Sequence, residues 1–168
     1  MLAGTGPVGQ RAAGLLARDG ARVTITSRKP EQGEKARQFI TARFNVSVEA
    51  VTMSDPSKAA EVLDGVEVLL NAGSAGIQMV SRAAWTAQKS LKVAVDLNAV
   101  PPLGLEGIEV NDAGAQRDGV LCFGAFGVGN FKTKLHKRCV GRLFEKNDLV
   151  LDAEAIADIA RELVTEKQ

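Results

Sequence analysis

The chain is poor in the residues that most often carry acid–base, metal and redox chemistry. Its 168 residues include one histidine and two cysteines. Cys122 and Cys139 lack CxxC spacing, so no metal site, redox pair or Ser-His-Asp arrangement is expected, and both thiols suit the interior of a protein in a reducing cytoplasm. Aromatic residues make up only 4% of the chain, too few for base-stacking platforms. The 21 Lys and Arg nearly cancel the 20 Asp and Glu, which speaks against a nucleic-acid surface as the main function. No apolar run approaches the ~18 residues of a membrane span, and the first residues have neither the basic start nor the apolar length of a targeting segment. No internal repeat or low-complexity tract is visible.

What the chain does have is glycine: 17 residues, within a 45% apolar composition of mostly small side chains. The first of them form a pattern, Gly4-Thr5-Gly6-Pro7-Val8-Gly9. Gly4-x-Gly6-x-x-Gly9 is the spacing of a dinucleotide-binding turn between a strand end and a helix. In such a turn the first glycine permits the bend, the second lets a pyrophosphate approach the backbone, and the third allows close helix–strand packing. The phosphates meet unpaired amides and the positive end of the helix dipole. Pro7 gives up one amide but has the φ angle of a first helical turn. An apolar face follows at Val8, Ala12, Leu15 and Leu16, and Gly20 can end the helix.

Strand and helix signals alternate along the rest of the chain. Strands are predicted at 21–26, 46–53, 66–72, 91–97 and 120–126, with a first strand at Met1–Ala3 before the glycine turn. Helices are predicted at 30–44, after the Asp55-Pro56 start, at 77–88, at 128–144 and from an Asp152 N-cap onward. The fold expected is α/β, a Rossmann-type doubly wound parallel sheet of about six strands with helices on both faces, in the order 3-2-1-4-5-6. Residues 1–168 form one nucleotide-binding domain on this reading. Only three residues precede the turn, against the ~5 of an ordinary strand, so residues that normally come before it are expected to be missing. Trp85 is expected in the core.

The end of the second strand decides which nucleotide is read. NAD enzymes commonly place a carboxylate there for the ribose 2′-hydroxyl. This chain has Thr26-Ser27-Arg28-Lys29, which would not repel a 2′-phosphate. Ser27 can donate a hydrogen bond, Arg28 can fork onto the phosphate or stack on adenine, and Lys29 adds charge. NADP is therefore expected, with NAD as the second possibility.

Four further stretches are distinctive: Asn71-Ala72-Gly73, Asp96-Leu97-Asn98-Ala99-Val100-Pro101-Pro102-Leu103-Gly104, Phe123-Gly124-Ala125-Phe126-Gly127, and Lys132-Thr133-Lys134-Leu135-His136 running into Lys137-Arg138-Cys139. With the glycine turn and Ser27-Arg28-Lys29, in this order, they resemble the nucleotide-binding part of NAD(P)-dependent methylene-tetrahydromethanopterin dehydrogenases. The resemblance covers essentially the whole chain. It implies a preceding catalytic domain of over a hundred residues, absent here, that forms the other wall of the pterin cleft. It also implies hydride transfer from the methylene bridge of a reduced pterin to NADP⁺, a one-carbon carrier as partner, and a homo-oligomer built through the complete protein. This fragment alone is then expected to be inactive.

Such a reaction asks for positioning and electrostatics more than acid–base chemistry. Lys132 is the implied catalytic residue, and Asp96, Asn98 and Lys134 the implied substrate contacts. Gly4, Thr5, Gly6, Pro7, Val8, Gly9, Ser27, Arg28, Lys29, Ala72, Gly73, Asn98 and Gly127 are the expected cofactor contacts. Plainer roles stand beside these: strand-ending turns at Ala72, Gly73 and Gly127, loop capping at Asp96 and Asn98, and a solvated basic helix at Lys132 and Lys134. A shikimate dehydrogenase or glutamyl-tRNA reductase type NADP domain, or a non-catalytic NADP module, are the alternatives, but the Pro-Pro-Leu-Gly and Lys-Leu-His stretches fit the first two poorly.

Overall fold

The computed structural model describes residues 4–166; the strand expected at Met1–Ala3 lies outside the described residues. The chain divides into two compact units, one ending at Gly127 and one starting at Val128. In the first unit, helix α1 (Pro7–Arg18) starts from an extended Gly6, as the proline at its first turn dictates, and exits through Gly20 at φ +91°. Strand β1 (Thr24–Ser27) pairs in parallel with β2 (Glu49–Thr52), and α2 (Pro30–Phe44) connects them over the residues predicted. A 3₁₀ turn, Pro56–Lys58, and α3 (Ala59–Val62) follow, with Asp55 accepting the Ser57 amide at 2.9 Å as the N-cap. Strands β3 (Val68–Asn71), β4 (Val93–Asp96), β5 (Ala113–Arg117) and β6 (Val120–Phe123) form a second sheet in the order β3-β4-β6-β5, with the short α4 (Arg82–Thr86) between β3 and β4.

This is an α/β, Rossmann-type arrangement, but three details differ from the sequence expectation. The described strands lie in a two-stranded and a four-stranded sheet rather than one sheet of six. The four-stranded sheet is also mixed: β3, β4 and β6 are parallel, whereas β5 runs antiparallel to β6. The cause is local. Asp118 and Gly119 have φ of +49° and +81°, the left-handed pair that closes a two-residue hairpin with the twist its strands require. The helix expected at 77–88 is also shorter. Met79 and Val80 donate their amides to the Gly104 carbonyl at 2.8 and 3.0 Å, and Val80 bridges to Leu105, so the chain stays extended until Ser81 caps α4.

Two apolar clusters hold the unit together. Ala13, Val23, Ile25, Ala36, Ile40, Phe44 and Val48 join α1 and α2 to β1 and β2. The second cluster gathers β3, β4 and β6 around Leu69, Ala94 and Cys122, with Trp85 fully buried as expected and its indole N–H donating to the Glu106 carbonyl at 2.9 Å. Burial raises the Cys122 thiol above its ordinary pKa, as expected of an inert core thiol. The second unit contains the remainder of α5 (Ala125–Leu143) and α6 (Ala153–Thr165), the latter capped by Asp152, which accepts the Ala155 amide at 3.0 Å. Arg138 pairs with Glu166 and Arg142 with Glu162, each at 2.7 Å. Among the described residues no helix is long and apolar enough to cross a membrane.

The start of α5 is locked onto residues 109–113. A Cβ on Gly124 would sit 2.0 Å from the Glu109 carbonyl oxygen, and one on Gly127 1.7 Å from that of Asp112. Asp112 stiffens this segment: it accepts the Glu109 amide at 2.9 Å and two bonds from the Arg117 guanidinium at 2.7 and 2.8 Å. Those bonds, the Arg117 pair foremost, hold the Asp112 carboxyl below its usual pKa. A depressed carboxyl stabilises the fold above its unfolded pKa of about 3.9 and loses that contribution as pH falls through its folded value. Arg117→Met is expected to destabilise the chain at pH 7 by about 1–2 kcal/mol, with the difference from wild type shrinking toward pH 2. Urea titrations across that range measure it.

Candidate nucleotide-binding site

Three glycines of the turn and of α1 answer three different demands. A Cβ on Gly4 would meet the Ile25 side chain at 2.6 Å, so this glycine lets the turn lie on β1, where its amide donates to the Thr26 carbonyl at 3.2 Å. A Cβ on Gly14, two turns into α1, would meet the Phe44 ring at 2.2 Å, so it brings α1 against the end of α2. Gly6 is different. Nothing lies within 4 Å of the position its Cβ would take, and its φ of −80° suits any residue. The protein's own packing makes no demand for glycine there; open space beside a helix N-terminus is what an approaching pyrophosphate needs.

The first turn of the helix behind Gly6 carries no negative charge of its own. Among the described residues α1 has no side-chain cap and no acidic residue in its first turn, so its positive end is left uncompensated. Gln10 donates from its side-chain amide to the Thr5 carbonyl at 2.8 Å, and Arg11 reaches back to the Pro7 carbonyl at 3.0 Å. Both bonds fix the turn without blocking the amides of Val8 and Gly9. Val8 itself is 60% exposed at the mouth of the turn.

At the end of β1, the buried Ser27 donates its hydroxyl proton to the Lys29 carbonyl at 2.8 Å and accepts the Lys29 amide at 3.3 Å. It therefore shapes the turn into α2, and its proton is not free for a phosphate. Arg28 and Lys29 are exposed, and no carboxylate stands with them at the strand end. The donor set of the 26–29 corner is thus two cations on a serine-built turn, which fits a 2′-phosphate.

At the C-terminal ends of β3 and β4, Ala72 and Gly73 are half-buried, whereas Asp96 and Asn98 are buried. Asp96 accepts the Asn71 side-chain amide at 2.8 Å, the Asn98 backbone amide at 3.0 Å and the Leu105 amide at 2.8 Å. Asn98 donates to the Ser74 carbonyl at 3.3 Å and accepts the Val100 amide at 3.2 Å. Both groups expected to touch substrate are thus engaged by the loops around them, the capping role. Asn71 is an unexpected member of the set; its signal in the sequence is a lone amide ending an otherwise apolar strand. Gly127 serves the close approach of α5 to Asp112 described above. Lys132 and Lys134 belong to the second unit, exposed on α5. Among the described residues no cluster of His, Cys, Asp and Glu could hold a metal. A groove of about 560 Å³ lies at the opposite end of the strands, between Arg22–Thr24 and Val66–Val68, away from the glycine turn.

Two substitutions separate a ligand's demand from the fold's. Gly6→Val is expected to leave the melting temperature within about 2 °C of wild type, as for an unconstrained surface site, and to abolish NADP binding by calorimetry. Gly4→Ala is expected to lower the melting temperature by several degrees through its clash with Ile25. Arg28→Ala is expected to weaken NADP binding about tenfold, the loss of one charge-assisted contact, while NAD affinity stays within about twofold.

Comparison with known proteins agrees with this geometry. Residues 1–93 match the saccharopine dehydrogenase NADP-binding domain family. Two curated proteins of Methylorubrum extorquens are similar over most of the chain. Bifunctional protein MdtA is 41% identical over 145 residues, covering 86% of this chain and 50% of its own length. An NAD(P)-dependent methylenetetrahydromethanopterin dehydrogenase is 30% identical over 164 residues, covering 95% of this chain and 55% of its own. The chain thus spans about half the length of the curated relatives it matches. A transhydrogenase from Sinorhizobium meliloti shares the fold, with a TM-score of 0.57 at 22% identity over 98% of this chain and 42% of its own. The glycine turn, the open Gly6, the carboxylate-free end of β1 and the match over residues 1–93 have one explanation: the chain belongs to the saccharopine dehydrogenase NADP-binding domain family, and its nucleotide is NADP.

Proposed function

We propose that the chain is the nucleotide-binding half of an NADP-dependent dehydrogenase that oxidises the methylene bridge of a reduced pterin one-carbon carrier. The observation that carries this reading is the 30% identity to a methylenetetrahydromethanopterin dehydrogenase over 95% of the chain. The 41% identity to MdtA supports it, as does the order of the Asp96–Gly104 and Lys132–Lys134 stretches. Bound NADP⁺ would supply the hydride acceptor. The residues of this chain would then bind, orient and keep water out. The first turn of α1, from Gly6 to Gly9, receives the pyrophosphate, and Arg28 and Lys29 the 2′-phosphate. The loops after β3 and β4, with Ala72 and Gly73, form the wall against which the nicotinamide lies. Asp96 holds that wall.

The substrate's own nitrogens stabilise the cation left when the hydride departs, so no proton need move at the protein. This agrees with the exposed position of the only histidine, His136. Lys132 would orient a polar group of the pterin, with Lys134 beside it on the same helix. A hydride passes only when donor and acceptor carbons are held about 3–3.5 Å apart, which calls for a second wall on the pterin side. The other half of the length of the relatives is the source of that wall in this proposal.

The 168-residue chain is therefore expected to bind NADP but to show no turnover with methylene-tetrahydromethanopterin. Supplied with the N-terminal half of MdtA, fused in frame, it is expected to produce NADPH, detected at 340 nm. In that fusion Lys132→Ala should lower kcat about tenfold or more, with NADP affinity unchanged. Turnover by the unfused chain, or a fusion that binds NADP yet leaves every methylene-pterin unoxidised, contradicts the proposal.

A further inference from the structure

The loops after β3 and β4 are tied to each other by side chains buried at the strand ends. Asn71 and Asp96 are register partners in the parallel β3–β4 ladder, 0% and 1% exposed. One Asp96 oxygen takes the Asn71 side-chain amide and the Asn98 backbone amide, and the other takes the Leu105 amide. The Asn71 side-chain oxygen accepts the Gly73 amide at 3.1 Å, and Asn98 reaches across to Ser74. Segments 72–74, 98–100 and 104–105 are thus fastened to three neighbouring side chains. Gly104 must be glycine for this to exist, since its Cβ would fall 1.7 Å from the Asn71 side-chain nitrogen. Among the described residues every buried side-chain nitrogen and oxygen has a partner, so Asp96 and Asn71 have little capacity left for a ligand.

The two halves of a dinucleotide fold hold the two halves of the dinucleotide. The glycine turn and the 26–29 corner belong to the first half. The fastened loops lie in the second, where Ile77 and Val100 stand 46% and 52% exposed. Exposed apolar side chains on loops whose backbones are held by buried hydrogen bonds are suited to receive a flat, poorly charged ring.

We propose that Asn71, Asp96 and Asn98 are positioning residues for the nicotinamide half of NADP, acting through the 72–76 and 98–100 loops and not by contact with cofactor or pterin. The inference rests on the reading of the chain as an NADP-dependent dehydrogenase half. It assigns the Asp96 carboxylate to the fixed geometry of the pocket wall, and it makes recognition of the two ends of the nucleotide separable by mutation.

The test is calorimetry on the full 168-residue chain with two probes, NADP⁺ and adenosine 2′,5′-bisphosphate, which carries the 2′-phosphate end without the nicotinamide. Asp96→Asn keeps the size of the side chain but replaces one acceptor oxygen with a donor. It is expected to weaken NADP⁺ binding about tenfold and to leave the bisphosphate within about twofold of wild type. Asn98→Ala, which removes no buried charge, serves if Asp96→Asn does not fold, with the same split expected at smaller size. Equal weakening of both probes, or no weakening of either, overturns the inference while leaving the NADP reading intact. Failure of the unaltered chain to bind either probe overturns both.

Discussion

The proposed nucleotide site depends on how closely α1 can lie on the sheet. Two absent side chains set that distance. Gly4 makes room for Ile25 at the turn, and Gly14 makes room for the Phe44 ring at the junction of α1 and α2. With both contacts made, the uncapped N-terminus of α1 is held beside the end of β1. In the proposed site the helix dipole and the cations of the 26–29 corner act together. Neither glycine need touch the ligand. Their role is geometric, and it leaves Gly6 as the position where a side chain is kept out for the sake of something other than the protein.

A second constraint of the same kind operates at β3 and β4, by hydrogen bonds in place of steric contact. A buried Asp beside a buried Asn is costly unless each polar atom is paired. Here the partners are backbone amides of three loop segments. The energy that satisfies the carboxylate also removes the freedom of the loops. A fold that must present a mobile, two-ended cofactor in one conformation benefits from such rigid walls, because chemistry by positioning tolerates little slack.

The sequence made the framework legible wherever the signal was local. Pro30 and Phe44 bound α2, Asp152 caps the last helix, and Gly6-Pro7 starts the first, because caps and prolines act through their own backbone. The 77–88 helix was over-extended because the pairing of Val80 with Leu105 is a tertiary contact that outweighs helical periodicity. The hairpin at Asp118-Gly119 had a clear local signal, an Asp-Gly pair between strand-forming runs. The expectation of an all-parallel sheet left no place for a strand at Ala113–Arg117. The site shows the same division. Glycine and charge patterns marked the phosphate end, whereas the capping roles of Ser27, Asp96 and Asn98 depend on which loop closes over them. Spacing alone does not encode that closure.

In the proposed reading NADP lies across the C-terminal ends of the strands, from the 26–29 corner over the α1 N-terminus to the loops after β3 and β4. Amide chemical-shift mapping during an NADP⁺ titration tests it most directly. The largest shifts are expected at Val8, Gly9, Arg28 and Lys29, with a second group at Gly73, Ser74, Asn98 and Val100. Shifts centred instead on Arg22, Val23, Glu67 and Val68, which line a groove at the other end of the strands, would contradict it.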